Sequence, residues 1–92
     1  MSRHELLETA PAWVGGARIA FGNVGPRPFA RAGGGQESVE SAVLFVLEPD
    51  GTKPALLRLG DAVTLPNGSY ALVEINHPPE GGRATLWLDG PG

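Results

Sequence analysis

Short apolar runs separated by turn sequences, from Ser41 to Ile75, constrain the fold of this chain more than any other feature. The separating sequences are Pro49-Asp50-Gly51, Gly60-Asp61 and Pro66-Asn67-Gly68. Gly and Asn accept positive φ and Pro fixes φ near roughly −65°, so each sequence favours a tight turn. The apolar runs are short and lack the three-and-four spacing of a helix. The stretch therefore predicts about three or four antiparallel strands connected as a meander.

The N-terminal part of the chain also favours strands. Ile19 and Phe21 alternate with less apolar neighbours, which is the period of a half-buried strand. Residues 3–10 contain the helix-favouring residues Leu, Glu and Ala, but the segment is too short for a stable isolated helix. A first strand with Leu6 or Leu7 facing inward is the preferred interpretation.

The longest predicted strand runs from Glu37 to Glu48. Every residue from Ala42 to Leu47 is apolar, which predicts a strand buried on both faces, either central in a sheet or wrapped inside a small barrel. Pro54 has no N–H to give to a ladder, so it belongs either at a sheet edge or at the start of a strand. The final strand is expected over Arg83 to Leu88, with residues 89–92 frayed.

These elements amount to about six or seven short strands with turn signals at spacings of roughly 8–12 residues. The chain is therefore predicted to be all-β, a small antiparallel β-barrel or β-sandwich in a single domain spanning 1–92. Residues 25–36, with two prolines and three consecutive glycines, are expected to form a flexible loop, most simply a crossover. The predicted core comprises Ile19, Phe21, Val43, Phe45, Leu57, Leu59, Leu72, Val73, Ile75, Leu86 and Leu88.

Composition argues against several classes of function. The chain lacks cysteine, so disulfides and Cys-based zinc sites are excluded. The net charge is −3 and the seven basic residues are dispersed, so no nucleic-acid partner is expected. No apolar run approaches the roughly 18 residues of a membrane span, so no membrane partner is expected either. The charged N-terminus does not resemble a signal peptide, which makes the cytoplasm the default location. Six Arg against one Lys, with many Ala, Gly and Pro, indicates a high-GC bacterial genome.

No group of residues has the spacing of a catalytic or metal site. His4 and His77 are interpreted as solvated surface residues, the alternative being His77 acting with Glu74 or Glu80. The glycines at 33–35 lack the Lys-Ser/Thr and the helix that a phosphate loop requires. The serines lack a nucleophile context. The sequence therefore predicts no cofactor, no metal and no catalytic residue.

Aromatic and cationic side chains are the strongest candidates for binding. Phe29 lies between Arg27 and Arg31 in the predicted loop and could form a small binding lip, or could instead plug an open end of the fold. Trp87 alternates to the face opposite Leu86 and Leu88, and an exposed Trp often marks an interface. Trp13 precedes a Gly-Gly break near an expected sheet edge. The five candidate binding residues are Arg27, Phe29, Arg31, Trp13 and Trp87.

These features favour a small non-catalytic β interaction module that binds a second copy of itself or another protein. Low charge for so much surface, outward tryptophans and exposed sheet edges are the reasons. A monomer whose Trp residues complete a small core is the simpler interpretation. The enzymatic alternative is a small β-barrel enzyme or ligand-binding protein, and an apolar cavity of roughly 300 Å³ or more would favour it.

Leu57-Arg58-Leu59-Gly60-Asp61 supplies a Leu-Gly-Asp turn before a short predicted strand, and Tyr70-Ala71-Leu72-Val73-Glu74-Ile75 is the Tyr-containing strand that follows. With this pattern, residues 17–88 resemble a family of small bacterial β proteins of unknown function. Segments 18–24 and 84–88 extend the pattern, whereas the 25–36 segment lies outside it. The resemblance implies an all-β fold and no particular activity.

Overall fold

The computed structural model describes residues 2–78, 80 and 82–91, and over these residues it contains eight strands and no helix. The strands are β1 (Ser2–Leu7), β2 (Ala12–Val14), β3 (Ala17–Ala30), β4 (Gln36–Glu48), β5 (Gly51–Arg58), β6 (Ala62–Leu65), β7 (Gly68–Asn76) and β8 (Thr85–Gly90). The predicted all-β class is confirmed. The strand that the sequence did not predict is β2. No helix in the described part of the chain is long and apolar enough to cross a membrane.

The strands form two antiparallel four-stranded sheets. Sheet A has the order β1-β8-β7-β6 and sheet B the order β2-β3-β4-β5. The chain passes from sheet A to sheet B after β1 and returns after β5. At the first corner the Thr9 N–H donates to the Phe21 carbonyl at 3.1 Å, and at the second the Leu72 N–H donates to the Asp61 carbonyl at 2.8 Å. The result is a sandwich with joined corners, one sheet of which curls into a half-barrel.

The core lies between the two sheets and is built from alternate residues of each strand. Six predicted core residues are buried there, and Ile75 packs partly buried against them. The six are Ile19, Phe21, Leu57, Leu72, Leu86 and Leu88. Leu6 is also buried while its neighbour Leu7 is exposed, so the inward residue of the predicted first strand is Leu6.

The prediction that β4 is buried on both faces is wrong. Ala42 and Leu44 are fully buried, whereas Val43 and Phe45 lie on the other face and are only partly covered. In a two-layer sandwich each sheet packs against one other sheet, so only one face of a strand reaches the core. The continuous apolar run of β4 therefore supplies the core with one half of its residues and the outer surface with the other half.

Two further predicted core residues are exposed for local reasons. The pairing of β7 with β8 shifts register between Leu72 and Glu74, which makes Val73 an extra residue in a bulge, and it is 37% exposed. Leu59 lies just beyond β5 at the second corner and is 44% exposed. Neither position belongs to the alternating part of its strand.

Two of the three turn sequences produce hairpins, whereas Gly60-Asp61 is the corner at which the chain passes from sheet B to sheet A, so the predicted continuous meander is wrong there. Glu48 pairs with Gly51, so Pro49-Asp50 is the two-residue connection between β4 and β5. In the same way Leu65 pairs with Gly68 across Pro66-Asn67. Pro54 lies in β5, which is an edge strand of sheet B as expected.

The segment predicted as a loop over 25–36 is mostly strand. Residues 25–30 of β3 pair with residues 36–41 of β4, and only 31–35 form the connecting turn. β2 pairs with β3 only at residues 17–19, and β5 pairs with β4 only from Ser41 to Glu48. Among the described residues, no further strand lies beside residues 25–40 of the hairpin, and we call these residues the arm. Pro26 and Pro28 suit such an edge because they alternate, so each missing N–H falls on the unpaired side of β3.

The predicted end of the chain also requires correction. The final strand begins at Thr85 and continues through Asp89 and Gly90, which pair with Arg3 and Ser2 of β1. Fraying from residue 89 is therefore wrong for these two residues, while Gly92 lies outside the described residues. The first and last strands thus hold each other in sheet A.

Candidate interaction face

The outer surface of sheet B carries three rows of side chains that the strand register places side by side. The first row is Trp13, Arg18, Leu47 and Thr52, the second is Ala20, Phe45 and Pro54, and the third is Gly22, Val43 and Leu56. We call these ten residues the Trp13 face. They alternate with inward residues such as Ile19, Phe21 and Leu44, so the face points away from the core.

The Trp13 face is largely apolar and exposes large side chains. Trp13 is 75% exposed and Leu56 is 49% exposed, the two largest values among the exposed large hydrophobic residues of the described chain. Arg18 is the one charged member of the ten. A single exposed Leu is ordinary in a small domain, whereas a continuous apolar sheet face is a candidate interaction site.

Gly22 leaves a gap in the third row of this face. A Cβ atom built on Gly22 meets no heavy atom within 4 Å. Its row neighbours Val43 and Leu56 carry branched side chains, so the surface is indented over the glycine. The face therefore has a protruding indole at one end and a side-chain-free gap toward the other.

Arg27 and Phe29 lie further along the same face, on the arm, and both side chains are engaged within the chain. The Arg27 guanidinium donates to the Ser41 hydroxyl at 2.6 Å and to the Asn23 carbonyl at 2.5 Å. Ser41 in turn donates to the Gly25 carbonyl at 2.9 Å. Arg27 thus satisfies polar groups at the irregular pairing between Gly22 and Gly25, instead of projecting as a free cation.

The Phe29 ring is contacted by a cation from β5. The Arg58 guanidinium carbon lies 5.3 Å from the ring centroid, and Arg58 also forms an ion pair with Asp61 at 3.2 Å. Arg31 lies in the tip turn of the arm, 4.0 Å from the Glu37 carboxylate. The expected lip of Arg27, Phe29 and Arg31 is therefore an ordered hairpin whose cations already have partners.

Trp87 lies on the opposite side of the molecule, on the outer face of sheet A. It is paired with Glu5 of β1 and with Glu74 of β7, and it is partly covered by its neighbours. Along the same sheet, Arg3 donates to Asp89 at 2.9 Å. This hydrogen bond and the Asp89 charge raise the pKa of the Arg3 guanidinium above its usual value. The surroundings of Trp87 are thus acidic, unlike those of Trp13.

The two histidines occupy different environments. His77 is exposed as predicted, and its Nε2 lies 2.7 Å from the Glu40 carboxylate of the arm instead of pairing with Glu74 or Glu80. The prediction that His4 is a solvated surface residue is wrong. Its ring packs edge-on against the Tyr70 ring, with the two ring centroids 5.7 Å apart, and its Nε2 is buried. No group of three or more potential metal ligands occurs among the described residues.

A cavity of about 320 Å³ opens beside Trp13. It lies where the β2–β3 turn, the end of β4 and the end of β6 meet, and apolar residues such as Val46, Leu47 and Leu65 line much of it. Arg18 and Glu48 are its charged lining residues, and Glu48 forms an ion pair with Lys53 at 3.2 Å. The volume reaches the lower limit of small-molecule sites, roughly 300 Å³.

The five predicted binding residues do not form one site. Trp13, Arg27 and Phe29 share the outer face of sheet B, Arg31 lies in the arm turn and Trp87 belongs to sheet A. Sequence reasoning missed the outward half of β4, namely Val43, Phe45 and Leu47. The available signal was the unbroken apolar run itself, since a small two-layer protein has no second layer to cover both faces.

The architecture defines a two-layer antiparallel β-sandwich with one predominantly apolar outer face. Comparison with protein-family models, with curated proteins and with solved structures finds no match for this chain. The resemblance of residues 17–88 to small bacterial β proteins stays a prediction.

Proposed function

We propose that this protein is a non-catalytic interaction module that binds a protein chain across the Trp13 face. The observation that carries the proposal is the three-row apolar surface on the outside of sheet B, with Trp13 exposed at its end. Tryptophan is enriched among the residues that dominate binding energy at interfaces. Only 18% of the residues are charged, so few charged groups are available to keep such an apolar face soluble. This favours a face that is covered by a partner.

The arm contributes to this function as a rigid border. Its hydrogen bonds through Arg27 and Ser41 fix the hairpin relative to sheet B, so the arm is already ordered before binding. This differs from the sequence-based expectation of a loop that orders in the complex, which would add an entropy cost to association.

Photo-crosslinking tests the proposal. A benzophenone amino acid replaces Trp13 in one variant and Trp87 in another, and both variants are irradiated in the producing cells. We expect a discrete protein adduct from position 13 that disappears when Leu56→Glu is added, because a carboxylate in the third row opposes burial of the face. Adducts of equal yield from positions 13 and 87, or none from position 13, would overturn the proposal.

The second candidate function is binding of a small apolar ligand in the cavity beside Trp13. Its volume of about 320 Å³ is the observation that favours it. Thr64→Trp places an indole at the cavity wall, whereas Thr52→Trp adds the same group outside the cavity lining. If the cavity is a binding site, small apolar probes such as indole bind the parent protein and the Thr52 variant but not the Thr64 variant, as measured by ligand-observed NMR.

A further inference from the structure

We infer that the chain covering the Trp13 face is a second copy of this protein, related to the first by a two-fold axis. The inference rests on the proposed function and names its partner. In a two-fold interface the same patch is used twice, so each protruding group must meet an indentation of the same patch. The Trp13 face meets this requirement.

The protrusion and the indentation lie in different rows of the face. Trp13 pairs with Arg18 in the first row, and Gly22 lies in the third row of the adjacent strand. Two residue steps separate Arg18 from Ala20 and Ala20 from Gly22, so the rows lie about 13 Å apart at roughly 3.3 Å per residue. The middle row, with Phe45 at its centre, is equidistant from both.

Trp13 lies on β2 and Gly22 on β3, one strand apart, so a two-fold axis in the plane of the interface that exchanges them is inclined by roughly 20° to the middle row. About this axis the first row of each copy lies over the third row of the other, and each Trp13 indole enters the gap over the partner's Gly22. Phe45 then lies close to the axis and contacts its own equivalent. Face-to-face sheets with nearly aligned strands are an ordinary packing geometry in β-sandwiches.

Charge is compatible with the same arrangement. Arg18 is the charged member of the ten-residue face, and the axis keeps the two copies of it in opposite halves of the interface. The two Arg18 positions are roughly 11 Å apart in the plane of the interface, which exceeds the screening length of about 8 Å at physiological ionic strength. The more acidic surroundings of Trp87 lie on the other sheet and take no part in the contact.

The area of the face indicates whether the dimer is obligate or reversible. Four strands about 4.8 Å apart and three rows give roughly 500 Å² per copy once side chains are included. The total of about 1,000 Å² is near the lower limit for a specific interface. We therefore expect a reversible dimer of folded chains and not an obligate one.

Sedimentation equilibrium of the full chain, alone and in mixtures, tests the geometry. Trp13→Ala removes the indole, and we expect homodimerisation to weaken at least about thirtyfold, as for an interface residue of this kind. Gly22→Phe fills the gap, so the Trp13 side chain of each copy collides with the new ring of the other copy and the homodimer is blocked. Because nothing lies within 4 Å of the Gly22 position, this variant keeps its fold, which circular dichroism and thermal unfolding check.

The mixture of the two variants gives the decisive result. In a heterodimer, one contact joins Trp13 to an intact Gly22, and the other joins the introduced phenylalanine ring to the truncated side chain at position 13. We expect the mixture to dimerise at least about tenfold more tightly than either variant alone. No recovery in the mixture would overturn the two-fold register, and a monomeric parent protein at hundreds of micromolar would overturn self-association. In the latter case an adduct from position 13 to a different protein still supports the proposed function, so the two failures are distinguishable.

Discussion

At the scale of single residues, one end of the sandwich depends on Tyr70 and two glycines. The Tyr70 ring is fully buried, and its hydroxyl donates to the Pro91 carbonyl at 2.7 Å. A Cβ on Gly15 would lie 2.6 Å from this ring, and a Cβ on Gly90 would lie closer still. Gly15 also has a φ of 60°, in the left-handed region that favours glycine. The tyrosine thus closes the core only because two neighbouring segments lack side chains there.

Gly90→Ala therefore destabilises the fold. Its new methyl group overlaps the buried Tyr70 ring, and overpacking of this kind costs about 1–3 kcal/mol. Gly22→Ala is the matched control, since it makes the same chemical change in a strand with open space above it. At low micromolar protein we expect this control to be neutral or to stabilise by up to about 1 kcal/mol, because it restricts the unfolded chain. Urea unfolding of both variants measures the difference, and equal free energies of unfolding would contradict this packing.

At the scale of elements, the arm is an extended hairpin stabilised by side chains at its base. Ser41 is fully buried although it is polar, because it accepts a hydrogen bond from Arg27 and donates one to Gly25. On the inner side, Glu40 contacts His77 across the two sheets. These contacts hold the hairpin where β2 and β5 no longer support it.

Arg27→Ala loosens the arm more than it destabilises the whole protein. It removes the donor to Ser41 and leaves buried polar groups with fewer partners, which costs about 1–3 kcal/mol locally. Hydrogen exchange followed by mass spectrometry should show faster exchange over residues 25–41 and unchanged exchange in β8. Arg31→Ala, in the exposed turn, is the control and should leave both segments unchanged. Uniform acceleration across β8 and the arm would show instead that Arg27 supports the entire core.

At the scale of the whole molecule, the two faces of sheet B have separate roles. Phe21 is 1% exposed between the sheets, whereas Phe45 lies on the outer face between Ala20 and Pro54. The first contributes to folding of the single chain and the second to the outer surface. The sequence pattern alone does not distinguish the two phenylalanines, and it predicts that both are in the core.

Phe21→Ala should lower the free energy of unfolding by about 3–5 kcal/mol, as expected for truncation of a buried aromatic residue. Phe45→Ala should lower it by less, about 1–2 kcal/mol when the chain is monomeric, because Phe45 is only partly covered on the outer face and loses less buried area. Chemical denaturation at low protein concentration compares the two variants. A loss of stability for Phe45→Ala as large as that for Phe21→Ala would place both rings in the core.

The sequence by itself determined the all-β class, the hairpin turns and the inward residues of strands that alternate cleanly. Turn residues and period-two alternation act over a few neighbouring positions, so these features need no knowledge of distant contacts. Ile19, Phe21, Leu86 and Leu88 were predictable for this reason. The edge position of Pro54 followed equally from the chemistry of a single residue.

The tertiary structure alone decided which face of β4 is covered, and with it the candidate interaction face. An unbroken apolar run contains no alternation, so its inward face depends on where the second sheet lies. The tertiary structure also decided that residues 25–30 form a strand, since Pro26 and Pro28 permit one only where its outer edge is unpaired. The partners of Arg27 likewise depend on the pairing of this strand with β4. Trp13 and Trp87 are chemically identical, and only the pairing of β2 with sheet B and of β8 with sheet A places them on opposite sides of the molecule.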